Sequence, residues 1–365
     1  MTRIIIRRGV GAAFIGAAVA FASGALAGSV YTETNSANGN EVQIYETGRD
    51  GTLALTRQVS TGGLGTSAGL GNQGALALTT DGDWLFAVNA GSDEISSFAV
   101  TASGLVLVGK TASSGARPVS VTTHGDLLYV LNAGGTGSIA GFTILRSGLL
   151  RPITDSARPL SSGASGPAQI EFNPGGYLLV VTEKATNKIS VYTVEDGRAD
   201  GPNVHSSSGN TPFGFAFDRR GDLLVSEAFG GQANAAALSS YDLDDDSGAL
   251  SVVSGSVPTN QTAACWVVVA GHGRYAYATN TGSGTITGYR VSRAGELARL
   301  DADGRTGVTG GGPTDASATR NGDTLYVLSP SIGQIITFRV KADGSVVRLG
   351  SAPGAPATAT GLVTR

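Results

Sequence analysis

The chain holds one cysteine, Cys265, in 365 residues. That excludes an intrachain disulfide framework and any zinc site built on several cysteines. Histidine is almost as scarce, with only His124, His205 and His272, which leaves little for a His-based metal centre. Charged residues amount to 15%, against roughly a quarter in ordinary globular chains, and Lys is scarcest among them. The formal charge of −3 excludes a basic surface built for nucleic acid. Beyond the first segment no apolar run is long enough to span a bilayer, and helical periodicity is absent. What the chain has instead is glycine, 55 residues, about twice the average usage, with abundant Ser, Thr, Val and Ala. Apolar residues reach 41%, enough for a large core and too many for bulk disorder. The composition suits many short strands joined by tight turns.

Residues 1–27 read as a secretory signal. Arg3, Arg7 and Arg8 form a positive leader, Val10 to Phe21 is apolar and small, and Ala25-Leu26-Ala27 is a cleavage pattern placing the cut before Gly28. Arg7-Arg8 admits a twin-arginine route, although Ile6 and Gly9-Val10 match that pattern poorly. Cleavage removes three Arg and no acid, taking the formal charge from −3 to −6. The expected location is periplasmic or extracellular, with no membrane span once the signal is cut.

The remainder, 28–365, repeats one unit. Five passages align: 82–100, 125–144, 175–194, 273–291 and 322–340, and a sixth, 221–243, carries a small insertion. Each has a strand, a Gly-rich loop and a second strand ending in an aromatic and a branched residue. A short strand precedes each pair and a further strand follows it. The residue closing the second strand is Asn89, Asn132, Glu183, Glu227, Asn280 and Ser329, in steps of 43, 51, 44, 53 and 49. Four strands in about 40–50 residues is the blade of a β-propeller. The segment after Gly28 supplies three more strands, near 29–34, 41–46 and 52–59, and Thr358–Thr364 supplies the missing inner one. The expected fold is therefore all-β: a single seven-bladed propeller of four-stranded blades, closed by pairing its N- and C-terminal strands. No linker divides it, and a monomer is expected.

The wording of the blades, above all Leu128-Tyr129-Val130-Leu131-Asn132 and Leu325-Tyr326-Val327-Leu328-Ser329, with Gly91, Gly137 and Gly284 and with Ile139, Ile189 and Ile286, resembles the lactonase family of seven-bladed propellers. That family includes 6-phosphogluconolactonase and carboxymuconate cyclase propellers, and the wording also resembles the YVTN repeats of bacterial surface propellers. The resemblance covers the whole mature chain. It implies hydrolysis or isomerisation of a small lactone or related carboxylate in the central channel, with His, Arg and Glu around it. In this chain the fourth inner strand opens Gly166-Pro167-Ala168-Gln169, without His, and the sixth and seventh carry no Glu.

The loops at one end of the channel are the expected site. Glu183 and Glu227, equivalent in blades four and five, can divide general acid and base roles if both face the channel. A hard cation between them is chemically possible, though no motif supports it and no cofactor is implied. The opposing reading is that both carboxylates bond nearby loop backbone. Arg117, alone in its kind among the inner-strand starts, can clamp a carboxylate or polarise a lactone carbonyl, or pair with a rim acid. Gln73, Gln169, Phe213 and Asp315 are expected to line the channel and contact substrate. Lys184 stands for an anionic substrate, a pair with Glu183, or a solvated loop residue. Cys265 is expected to be buried and inert, since no His lies near it. Asp242, Asp244 and Asp246 imitate a calcium loop, but Val253 stands where its bidentate Glu belongs, so a polar hairpin is expected. Trp84 and Trp266 are expected between blades. Two functions remain open: a lactonase-like enzyme, or a non-catalytic exported propeller that binds a ligand or protein partner.

Overall fold

A computed structural model describes residues 28–48 and 51–365; the expected signal, 1–27, lies outside the described residues. Seven separate antiparallel sheets form the chain. From the axis outward, blade two is Leu76–Leu78, Trp84–Asn89, Glu94–Thr101 and Gly104–Ala112, and blade four is Pro167–Phe172, Leu178–Glu183, Lys188–Glu195 and Arg198–Ser206. Blades five and seven repeat that plan from Pro212–Phe217 and Asp315–Ala318. In blades three and six the outer strand is broken in two, Leu150–Pro152 with Arg158–Pro159 and Leu297–Arg299 with Gly307–Val308. Blade one joins both ends of the chain. Its inner strand, Thr360–Thr364, pairs antiparallel with Gly28–Glu33, and Glu41–Thr47 and Leu53–Ser60 complete the sheet. Seven blades and closure by the two ends are as the repeat predicts.

The core lies between blades because both faces of each sheet are covered. One cluster runs from Phe86 and Val88 of blade two through Leu128, Val130 and Phe142 of blade three to Ile170 and Tyr192 of blade four. Tyrosines stitch the blades by burying the ring and spending the hydroxyl on a neighbour's backbone. Tyr129 donates to the Gly197 carbonyl (2.9 Å) and accepts from the Ala199 N–H (2.8 Å) of the next blade. Tyr277 reaches forward to Gly344 (2.7 Å), and Tyr289 reaches back to Val257 (3.1 Å). The Asp244 loop is the hairpin joining the third and fourth strands of blade five, its carboxylate taken by Ser247 N (2.7 Å) and Oγ (2.6 Å).

Part of the glycine excess serves close approach. The segment crossing from one blade to the next lies on the residue that ends the second strand. A Cβ on Gly63 would stand 2.4 Å from the Asn89 side chain, and one on Gly115 would stand 2.5 Å from Asn132. Truncation after Ala359 removes the inner strand of blade one and bares the edge of Gly28–Glu33. The melting temperature should fall by more than roughly 10 °C, with self-association through that edge; thermal denaturation and size-exclusion chromatography check this.

Candidate axial cavity

In each blade the inner strand turns one edge to the axis, where no strand pairs with it. Side chains take the place of that strand. The Ser120 and Thr122 hydroxyls accept from the Ile170 and Phe172 N–H groups (both 3.2 Å). The Gln169 amide bonds both backbone groups of Phe215, accepting from N (2.7 Å) and donating to O (3.0 Å). Gln73 does the same to Val267 (3.1 and 2.9 Å).

The segment Leu70–Gly74 goes further and fills one end of the channel. The Asn72 carbonyl accepts from the Trp266 indole (2.7 Å), its side chain bonds the Val119 carbonyl and the Thr360 hydroxyl (3.1 Å), and Gln73 N donates to Ala168 O (3.1 Å). Those partners belong to blades six, three, one and four, so this strap stands on the axis. Lys184 Nζ latches it by donating to Gly71 O and to Pro167 O (3.2 Å), and lies 4.8 Å over the Phe213 ring. Burial brings that ammonium down to about 8. Phe213, Trp266, Cys265, Ala168 and Ala228 form an apolar layer beside it. Trp266, expected between blades, therefore caps the axis. Lys184 is half-buried against the strap and is not paired with Glu183. Cys265 is buried, and burial pushes its thiol up to about 12, which leaves it unreactive at neutral pH.

Beneath the strap lies a cavity of about 280 Å³, larger than the ~150 Å³ that accepts a benzene ring. Gln73 forms its roof, Gln169 and Asp315 stand at its upper level, and Thr123, Glu171 and Val363 stand lower. Among the described residues no Lys, Arg or His lines it. Asp315 is buried, and desolvation raises its carboxyl well above the ordinary range although the Ala316 and Leu362 N–H groups favour the charged form. Glu171 is half-buried; burial pushes it up to about 8, against one hydrogen bond from Gln169 Nε2 to Oε2 (2.8 Å).

Three of the expected channel residues, Gln73, Gln169 and Asp315, meet in this cavity. The three expected to carry chemistry do not. Glu183 is fully buried within its own blade, where Oε1 accepts from Ser161 N (3.0 Å) and Ser190 Oγ (2.7 Å), and Oε2 from Ser161 Oγ and Thr186 Oγ1 (3.1 Å). Glu227 accepts from Gly209 N (2.7 Å), Ser239 (2.6 Å) and Ser256 (2.6 Å). Both clamp the crossover into their blade and lie away from the cavity, as the backbone-bonding alternative holds. Arg117 is exposed, bound to Asp93 through its backbone N–H (2.6 Å). The reason is register. The inner-strand residues that pair one place before the end of the second strand, level with Gln169, are Ser120 and Trp266, with Asp315 in blade seven. Arg117, Phe213 and Cys265 sit outside that level. Glu171 escaped the sequence reading. Its signal is an acid where the matching positions hold Ala77, Thr122, Ala216, Val268 and Ser317.

The profile of the family described as "Lactonase, 7-bladed beta-propeller" matches residues 38–161, 151–267 and 228–354. A search of curated proteins finds no match. Among solved structures, the Pseudomonas aeruginosa periplasmic gluconolactonase is 17% identical, covering 92% of this chain and 98% of its own, with a TM-score of 0.70. A candidate 6-phosphogluconolactonase from Bacteroides fragilis is 18% identical over 93% and 98%, TM-score 0.72. A protein from Lactobacillus plantarum is 16% identical over 93% and 99%, TM-score 0.75. At these identities the likeness shows the fold.

Two outcomes are expected. Glu183→Gln loses charge-assisted bonds in a buried site and should lower stability by about 2–3 kcal/mol in urea denaturation at pH 7. Glu171→Gln should act oppositely. The native state keeps a proton on Glu171 up to about 8, whereas the unfolded chain releases it near 4.5. Wild-type stability from this group therefore falls as pH rises through that window. The variant should be the more stable protein at pH 8–9 and should gain nothing below pH 4.5, as denaturation across pH will show.

Proposed function

Because the chain belongs to the lactonase family of seven-bladed propellers, we propose that it hydrolyses a small, uncharged lactone in the axial cavity. One observation carries this: among the described residues the cavity is lined by two carboxyl groups, Glu171 and Asp315, and by no cationic side chain. A phosphorylated or carboxylated substrate would enter such a site without a counter-charge, at a heavy desolvation cost. A neutral ring would not. One similar structure is named a periplasmic gluconolactonase, and gluconolactone is itself uncharged.

In this reading Glu171, deprotonated, takes a proton from water as the water oxygen bonds the lactone carbonyl carbon. The ring C–O bond then breaks and its oxygen takes up a proton, giving a hydroxy acid. Asp315, whose carboxyl burial raises well above the ordinary range, is in its protonated form the hydrogen-bond donor to the oxygen on which charge develops. The product ionises to an anion beside acidic groups, which favours its departure. In this reading the activity lies outside the cytoplasm, which rests on residues 1–27 being the secretory signal that their sequence leads one to expect.

The test is turnover of a panel of uncharged and phosphorylated lactones, corrected for spontaneous hydrolysis. Uncharged substrates should be preferred at least tenfold in kcat/KM. The rate should rise with pH to a plateau, half-maximal near the Glu171 value of about 8, and Glu171→Gln should lower kcat about a hundredfold or more. Saturable binding with no turnover of any lactone would instead leave a ligand-binding propeller.

A further inference from the structure

We propose that Gln169 is the positioning residue of this site: clamped by the Phe215 backbone, its amide holds one oxygen of Glu171 and leaves the other as the base. This rests on the reading of Glu171 as the reacting carboxylate. The orientation of the amide is set by its partners. Phe215 N can only donate, so Gln169 Oε1 must face it (2.7 Å); Nε2 then faces Phe215 O (3.0 Å). The remaining Nε2 hydrogen points to Glu171 Oε2 (2.8 Å). With both amide atoms committed, Gln169 cannot rotate to offer an acceptor. It can only donate to Glu171, which favours the carboxylate form at Oε2 and confines the proton to Oε1. Among the described residues no protein group bonds Oε1, and the residue lines the cavity.

The fold supplies its own control. Gln73 makes the same reciprocal pair with Val267, but its amide makes no bond to an acid. Capping an inner-strand edge is thus common to both glutamines, and holding a carboxylate belongs to Gln169 alone.

The experiment follows Glu171 by carboxyl carbon NMR across pH in the full mature chain, as wild type, Gln169→Met and Gln73→Met. Both variants keep side-chain length and lose an edge cap. Gln169→Met should raise the Glu171 midpoint by about one unit and move the pH–rate profile equally, with kcat falling more than KM changes. Gln73→Met should leave the Glu171 midpoint in place. An unmoved midpoint in folded Gln169→Met, or an equal shift in both variants, overturns the proposal. Should Gln169→Met fail to fold, wild type decides: the Gln169 side-chain N–H must shift with the Glu171 titration, and no coupling overturns it. These midpoints are read without substrate. If they move as expected while Glu171→Gln keeps full lactone turnover, the positioning geometry stands and the catalytic reading of Glu171 falls.

Discussion

Seven sheets that meet around one axis must leave seven strand edges facing it, and buried N–H and C=O groups without partners are costly. Everything at the centre of this molecule answers that constraint. Hydroxyls of Ser120 and Thr122 serve blade four, the Gln169 amide serves blade five, and the Gln73 amide serves blade six. Each cap is lent by another blade, so the caps tie the ring together while they fill it. The strap at Gly71–Gln73 carries the same solution across the axis and closes one end. The cavity is the stretch of channel that these groups leave open.

The ring was legible in the sequence because it is written many times over. Strand, loop, strand and a closing aromatic recur at a countable period, and any single ambiguous blade is corrected by its neighbours. Closure was legible too, since the two ends each carry part of one blade. The centre was not. The turn between the inner and second strands differs in length from blade to blade: the pairs that flank it are Phe172 with Leu179, Phe217 with Leu223, Ala270 with Tyr275 and His124 with Leu127. Arg117 therefore stands three residues before the level of Gln169 in its blade, and Phe213 and Cys265 one residue before it, where a slip of one exchanges the faces of a strand. The strap was illegible for another reason: Leu70–Gly74 has no counterpart in the repeat, and its role exists only through contacts with blades far away in sequence.

Acidic residues show why residue type at a repeated position does not settle function. Glu33, Glu183 and Glu227 all end a second strand and are all fully buried. Glu183 gathers four donors and Glu227 three, spread over loop backbone and hydroxyls. Glu33 receives only Asn40 Nδ2 (3.2 Å), its Oε1 is unpartnered, and burial raises it well above the ordinary range. Sequence position alone gives no sign of this difference, because the donors are gathered from the entering crossover (Ser161, Gly209) and from other strands and loops of the blade (Thr186, Ser190, Ser239, Ser256). A saturated carboxylate is a clamp. A carboxyl with one donor and an open oxygen, such as Glu171, is free to exchange protons, and its burial costs stability that a clamp of the same type would contribute.

The placement of the few charges completes the argument. Lys184 bonds the strap from outside the cavity lining, and Arg117 is exposed beyond it. The strap therefore separates the positive groups at that end from the acids below. The cavity descends to Leu78, Thr123, Glu171 and Val363, close to the inner-strand ends and to the turns that follow them, such as Thr79–Gly82. A neutral ring can enter an acid-lined pocket of this kind and an anion is driven from it. In the proposed reaction ring opening converts the first into the second, so the pocket in which Glu171 acts as base and Asp315 as donor also favours release of the acid it forms.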